Sequence, residues 1–332
     1  MKNMNIRQRT FYSNSDIKNA NYKNVFIFQY NNENDEPIKP GKTKDGKEKF
    51  TAPAKKILND KKSKMYFDLL VKGNFDEKDF FVTLTYSDKF LPATEKEADS
   101  QVKKYIKDLR KEAKKRGQTV KYIYVTENAN NGRRLHHHML INNCLPREVI
   151  ENLWSKQVKP FSDERERIGW ANAKRIQIVS AKLKGKNSNP DYMIRISRYM
   201  TKESKQQQGK KKWKQSTGLI LPGTSKADNV CSKKQFEQMT LYRGASFEAS
   251  NVELAKYLKR NHKGYVVTNI RREYNEFTGQ FYISMEMMKR RIWQKAMNLC
   301  NETEQAAEQA ANDFIKNKLR EFGSDGEQGG LW

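Results

Sequence analysis

The sequence predicts an α+β fold: an antiparallel sheet of the split β-α-β type, with helices covering one face. Three observations carry this reading. The runs FFVTLTY (Phe80–Tyr86), VKYIYVTE (Val120–Glu127), LHHHMLI (Leu135–Ile141) and AKRIQIVSA (Ala173–Ala181) are rich in β-branched and aromatic residues and so read as strands. Helical patterns fall between and after them, so the order from residue 80 to 205 is β-α-β-β-α-β-α. Asn130-Asn131-Gly132 is a strong turn signal that joins the second and third strands as a hairpin.

Each element has its own local cause. Ser87-Asp88 break the first strand. Val102, Tyr105, Ile106, Leu109 and Ala113 recur at three- and four-residue steps, the stripe of an amphipathic helix, which Gly117 closes after Lys114-Lys115-Arg116. Pro146 opens a second helix with Val149, Ile150, Leu153 and Trp154 on one side. Asn189-Pro190 form an N-cap and first turn for a helix running through YMIRISRYMTKES.

The flanks are less patterned. Residues 1–55 read as polar loops around one strand, VFIFQY (Val25–Tyr30). SKQQQGKKKWKQSTG is a basic loop; KGYVVTNI and QFYISME, separated by REYNEFTG, read as a hairpin; residues 285–322 look helical, and GSDGEQGGLW is a frayed end. The expected division is an N-terminal extension (1–75), a central domain (76–223) and a C-terminal accessory region (224–332) with a helical, acidic tail.

Of the 332 residues, 65 are Lys or Arg and 39 are Asp or Glu, a net charge of +26. From Asn301 onward three basic residues face seven acidic ones, so the tail carries −4 and the body +30. Such a body implies a polyanionic partner, and nucleic acid is the first candidate. No run of about 18 apolar residues is present, so no membrane span is expected. The first residues carry no apolar segment of a secretory signal, and Cys144, Cys231 and Cys300 form neither a CxxC pair nor a disulfide ladder, which together point to a reducing cytoplasm.

Chemistry concentrates in His136-His137-His138, three of the four histidines of the chain. Alternate residues of a strand share a face, so His136 and His138 point together and His137 points away. Two imidazoles one pleat apart can converge on one divalent ion. Glu127 ends the preceding strand and is placed by the hairpin near His136, a third candidate ligand that competes with a solvated strand-end carboxylate. Imidazole plus carboxylate, with positions left for water, suits Mg²⁺ or Mn²⁺ better than a closed zinc site. On the last helix Tyr199 and Lys202 are neighbours at i and i+3, and a cation beside a phenol favours the nucleophilic phenolate. Alone, that pair is an ordinary core tyrosine with a solvated lysine.

In this order, the strand FFVTLTY, the strand HHHML and a helix carrying YMTK resemble the HUH endonucleases, with the closest likeness to rolling-circle replication initiators of single-stranded DNA phages and related plasmids. KKWKQSTGLILPG (Lys211–Gly223) resembles the basic-aromatic segment that follows the tyrosine helix in the phage proteins. The likeness spans residues 80–223. It implies a ferredoxin- or RRM-like catalytic core with His136 and His138 as ligands of Mg²⁺ or Mn²⁺, Tyr199 as nucleophile and Lys202 as an orienting cation. It further implies nicking and rejoining of single-stranded origin DNA through a 5′-phosphotyrosyl link, with a free 3′-OH for a host polymerase. No GxxxxGK[ST] loop occurs, so unwinding would fall to a host helicase in a bacterial cytoplasm. Tyr192 stands two helical turns before Tyr199, roughly 10 Å away, so a single catalytic tyrosine is expected. Lys211, Lys212 and Lys214 would meet DNA phosphates, and Trp213 and Tyr86 would stack on bases. The competing reading of Lys210–Lys214 is a solvated loop.

Other readings share parts of this pattern. Relaxases usually place the tyrosine before the histidines, and transposases of the same chemistry are usually shorter. A non-catalytic RRM-like binder would use the aromatic strands for stacking, but leaves the histidine pair unexplained. A metal-dependent hydrolase would leave Tyr199 incidental.

Overall fold

The computed structural model describes residues 5–30, 53–127, 134–158, 164–176, 192–202, 212–240, 247–275 and 280–296. The first half of the chain forms β1 (Asn5–Tyr12), β2 (Tyr22–Tyr30), α1 (Pro53–Asn74), β3 (Phe80–Leu84), α2 (Glu95–Lys115), β4 (Tyr122–Glu127) and β5 (His136–Ile141). There follow α3 (Arg147–Asn152), β6 (Ser155–Gln157), β7 (Arg165–Arg167), β8 (Ala171–Arg175), α4 (Tyr192–Thr201) and β9 (Lys214–Gln215). The described part closes with β10 (Gly223–Asp228), α5 (Lys233–Met239), α6 (Phe247–Asn261), β11 (Tyr265–Asn275), β12 (Gln280–Lys289) and α7 (Arg290–Ala296). The α+β class with antiparallel sheets agrees with the sequence. The chain divides into two compact units: Met1–Leu69, Val179–Tyr192 and Leu221–Trp332 form one, and Leu70–Ile178 with Met193–Ile220 the other.

In the first unit both ends of the chain contribute strands to one sheet, in the order β10-β1-β2-β12-β11. Its core joins Ile6, Val25, Ile27, Ile283, Met285 and Met287 to Phe236, Met239, Leu254 and Tyr257 of α5 and α6. Two expectations are corrected here. β1 and β2 replace the loops expected before residue 25; β1 escapes notice because its polar residues find partners across strands. Arg7 Nε donates to Asp228 Oδ1 at 2.6 Å, and the guanidinium lies 3.5 Å from the centre of the Tyr30 ring. The helix expected from residue 285 begins only at Arg290, because Met285, Met287 and Met288 are buried in the sheet, a tertiary demand that overrides their helical preference.

The second unit holds the strands of the histidine motif, in the order β8-β3-β5-β4-β9, all pairs antiparallel. The first and third of the four expected strands lie at the centre, the arrangement of a split β-α-β sheet. One face buries Phe80, Val82, Leu84, Tyr124, Met139 and Ile141 against Val102, Tyr105, Ile106 and Leu109 of α2, with Ile150 and Trp154 completing the cluster. α2 starts at Glu95, a turn and a half before its first predicted apolar residue. Thr94 Oγ1 accepts the Glu97 N–H, and Glu97 Oε2 accepts the Ala93 N–H, so a reciprocal cap sets the start. The helix ends where Gly117 takes φ 66°, with the Gln118 N–H bonded to Ala113 O.

The fourth strand is also shifted. β8 spans Ala171–Arg175 rather than 173–181, since Ala173 is the core residue opposite Val82 and its neighbours follow from that register. Residues 177–181 of the expected strand, the turn at Asn130–Gly132 and the Asn189-Pro190 cap lie outside the described residues. The hairpin β6–β7 has no counterpart in the sequence reading.

Candidate active site

Parity in β5 sorts the three histidines. His137 points into the core: Tyr86 Oη lies 2.7 Å from its Nε2 and Thr126 Oγ1 2.9 Å from its Nδ1. Burial holds the imidazole down to about 3, so it is neutral, and burial raises the Tyr86 phenol well above its ordinary value. The phenol therefore donates to Nε2, leaving the ring proton on Nδ1 to be donated to Thr126.

His136 and His138 emerge on the opposite face, their ring centres 4.9 Å apart. β4 and β5 pair in a register that sets Glu127 directly opposite His136. One ligand atom from each of Glu127, His136 and His138 lies within 4.8 Å of the others. Glu127 Oε2 is 3.1 Å from His136 Nε2, and Glu127 Oε1 is 3.6 Å from His138 Nε2.

The donor chemistry fits a divalent cation. The carbonyl of Arg134 can only accept, so His136 Nδ1 donates to it at 2.8 Å, and the neutral form of the ring then turns a lone pair at Nε2 toward Glu127. Lone pair faces carboxylate, an arrangement that a cation resolves. His138 is 2% exposed; burial, with a smaller contribution from His136, lowers it to about 4, so it is neutral. Its Nδ1 meets Thr83 Oγ1 at 3.3 Å, while its buried Nε2 has no hydrogen-bond partner among the described residues. A buried imidazole nitrogen left bare beside a carboxylate is the state expected of a metal ligand.

α4 brings Tyr199 to this same face. Its ring centre is 4.8 Å from that of His138 and 6.1 Å from that of Phe81, while the residue stays 49% exposed. Met193, Ile194, Ser197 and Met200 of α4 are buried, so the apolar side of the helix is anchored and Tyr199 stands at its edge. Lys202 lies one residue beyond the end of α4, exposed, and its backbone N–H donates to Tyr199 O at 3.2 Å. The side chain of Tyr192, read as packing, lies outside the described residues.

Two site residues escaped the sequence reading. Phe81 stacks on His138, with ring centres 5.3 Å apart and planes 18° from parallel, and Thr83 bonds the far nitrogen of the same imidazole. The signal was present in parity: Phe81 and Thr83 alternate with the core residues Phe80, Val82 and Leu84, and Thr83 pairs with His138.

The expected DNA contacts fare unevenly. Tyr86 is corrected: it is 5% exposed, its hydroxyl is bonded to His137 and its ring packs against Trp154, so it has no face for a base. Lys211 lies outside the described residues. Lys212 and Trp213 are half-buried, with Trp213 Nε1 donating to Gln215 Oε1, and Lys214 is exposed in an ion pair with Asp99.

Residues 79–204 match the family model described as replication-associated protein, of the ORF2 and gene 2 protein type. The matched segment starts one residue before β3, and it contains Glu127, His136, His138, Tyr199 and Lys202. The match agrees with the rolling-circle initiator likeness that the ordered motifs predict. No match to the chain was found among curated proteins or among solved structures. No described helix is long and apolar enough to cross a membrane.

Proposed function

We propose that this chain, whose residues 79–204 carry the replication-associated likeness, initiates rolling-circle DNA replication by nicking and rejoining single-stranded origin DNA. The observation that carries the proposal is the shared face: the Tyr199 phenol ring lies against His138, beside the only cluster of potential metal ligands among the described residues.

Glu127, His136 and His138 would hold Mg²⁺ or Mn²⁺, which when bound supplies Lewis-acid polarisation of a scissile phosphate. The remaining steps belong to the chain. Phe81 and Thr83 fix the His138 ring from its face and from Nδ1, and Arg134 O fixes His136. The Tyr199 hydroxyl, exposed at the rim, attacks phosphorus as its proton departs. The new bond joins Tyr199 Oη to phosphorus, the P–O3′ bond breaks, and the 3′ oxygen takes up a proton. One phosphodiester replaces another, so no nucleotide hydrolysis is required, and attack by a 3′-OH reverses the step. Lys202 offers a cation near the tyrosine, and the basic body supplies the sequence-independent grip on phosphates. The free 3′-OH is a primer terminus for a host polymerase, with strand opening by a host helicase.

The test uses 5′-labelled single strands incubated with protein and Mn²⁺. A shortened labelled fragment that a DNA polymerase can extend is expected, and chelation should abolish it. Fragments ending in 3′-phosphate, or cleavage that survives both chelation and Tyr199→Phe, would refute the proposal.

A further inference from the structure

We infer that Trp170 is the platform on which an unpaired base stacks beside the cleavage site, an inference that rests on the proposed reading of that site. Trp170 is 75% exposed, the most exposed of the large hydrophobic side chains described. Among the described residues no ring stacks against its indole. Its backbone, by contrast, is held from several sides. Thr85 N–H donates to Trp170 O at 2.8 Å, Trp170 N–H donates to Thr85 Oγ1 at 3.2 Å, and Ser87 N–H donates to Ile168 O at 2.9 Å. Gly169 allows this approach, since a Cβ there would lie 2.1 Å from Thr85 O. A mobile loop would leave a tryptophan exposed by default; here a pinned backbone presents one.

Register places this indole. Leu84 pairs with Ala171 on one side and His137 on the other, so the next row across the sheet runs Trp170, Thr85, His136, Glu127. Residues directly opposite share a face. Trp170 thus stands on the metal-cluster face, at the β8 edge. Two strand spacings separate it from His136, roughly 10 Å. That distance is about three stacked nucleotides at roughly 3.4 Å each. Asn172 and Lys174, opposite Thr83 and Phe81, are exposed along the same rim, and Lys174 adds a phosphate-seeking charge. An exposed aromatic face beside a cation matches a single strand, whose unpaired bases offer π-faces that a duplex hides. Tyr86 is buried and Trp213 half-buried, so Trp170 is better disposed for stacking than either ring named from sequence.

The experiment compares wild type, Trp170→Ala and Trp170→Phe, binding a fluorescent oligothymidylate of about 12 nucleotides and a duplex of equal length, without divalent metal. Trp170→Ala should weaken single-strand binding about 5- to 150-fold, the equivalent of roughly 1–3 kcal/mol per stacked base. Trp170→Phe should retain most of the affinity, and duplex binding and the melting temperature should not move. Wild-type affinity in Trp170→Ala, or an equal loss for the duplex, would overturn the inference. The same preparations are assayed with Mn²⁺ for a protein–DNA adduct. An adduct alongside undiminished Trp170→Ala binding would sink the platform and leave the nicking activity standing. Selective loss of single-strand binding without any wild-type adduct would do the reverse.

Discussion

Replacing Tyr86 with Phe separates a core residue from a DNA contact. The phenol ring stays, packed against Trp154 with centres 5.4 Å apart, and only the hydroxyl is lost. That hydroxyl is the donor to His137 Nε2 at 2.7 Å, and His137 is fully buried. With the partner gone, a buried imidazole nitrogen is left without a hydrogen bond, a loss of about 1–3 kcal/mol. For a unit of this size that lowers the melting temperature by roughly 3–10 °C. The assay is urea and thermal unfolding of the full chain, paired with single-strand binding at one salt concentration. Stability should fall as stated while DNA affinity holds. Unchanged stability together with weakened DNA binding would refute the core assignment and restore Tyr86 to the interface.

Further outcomes follow from the same geometry. Gly169→Ala would force a methyl into Thr85 O and Tyr86 Cα, backbone atoms that cannot turn aside, and should cost about 3 kcal/mol or more in urea unfolding; a neutral effect would mean the segment is not held against β3. Burial lowers His137 to about 3 from an unfolded value near 6.5, so this group has no effect on stability above pH 6.5. As pH falls below that value the unfolded chain binds a proton the native state refuses, and stability should drop by about 2 kcal/mol at pH 5 and further toward pH 3. His137→Gln should flatten that slope, and an unchanged slope would place its origin elsewhere. Glu127→Gln and His138→Ala should each weaken Mn²⁺ binding in calorimetry by at least about tenfold while sparing metal-free DNA binding. Retained metal affinity in both would dissolve the proposed ligand set.

The central sheet was legible because its signals are local: alternation in β3 to β5, the apolar stripe of α2 and the turn chemistry between Glu127 and His136. The pairing of Glu127 with His136 could be argued before any coordinates because a hairpin fixes register. Phe81 and Thr83 needed the pairing of β3 with β5, a contact between distant segments that no local pattern encodes. Tyr86 was misassigned because an aromatic residue at a strand end looks alike whether it meets DNA or a buried histidine; only His137, turned inward by parity, decides between them. β1 and the end of β12 were missed for the opposite reason. Their sequences follow tertiary partners, Asp228 for Arg7 and the sheet for Met285, Met287 and Met288, rather than their own periodicity. Trp170 was passed over because an isolated tryptophan in a polar run acquires meaning only from exposure on a fixed backbone.

The most direct test of the account is the identity of the residue joined to DNA. Wild-type protein is incubated with Mn²⁺ and a 3′-labelled single-stranded pool, denatured, digested with nuclease and protease, and sequenced by tandem mass spectrometry. A 5′-linked nucleotide on Tyr199, absent in Tyr199→Phe, is the expected result. A nucleotide on any other residue, or an adduct that persists in Tyr199→Phe, would contradict the assignment of Tyr199 as the nucleophile beside Glu127, His136 and His138.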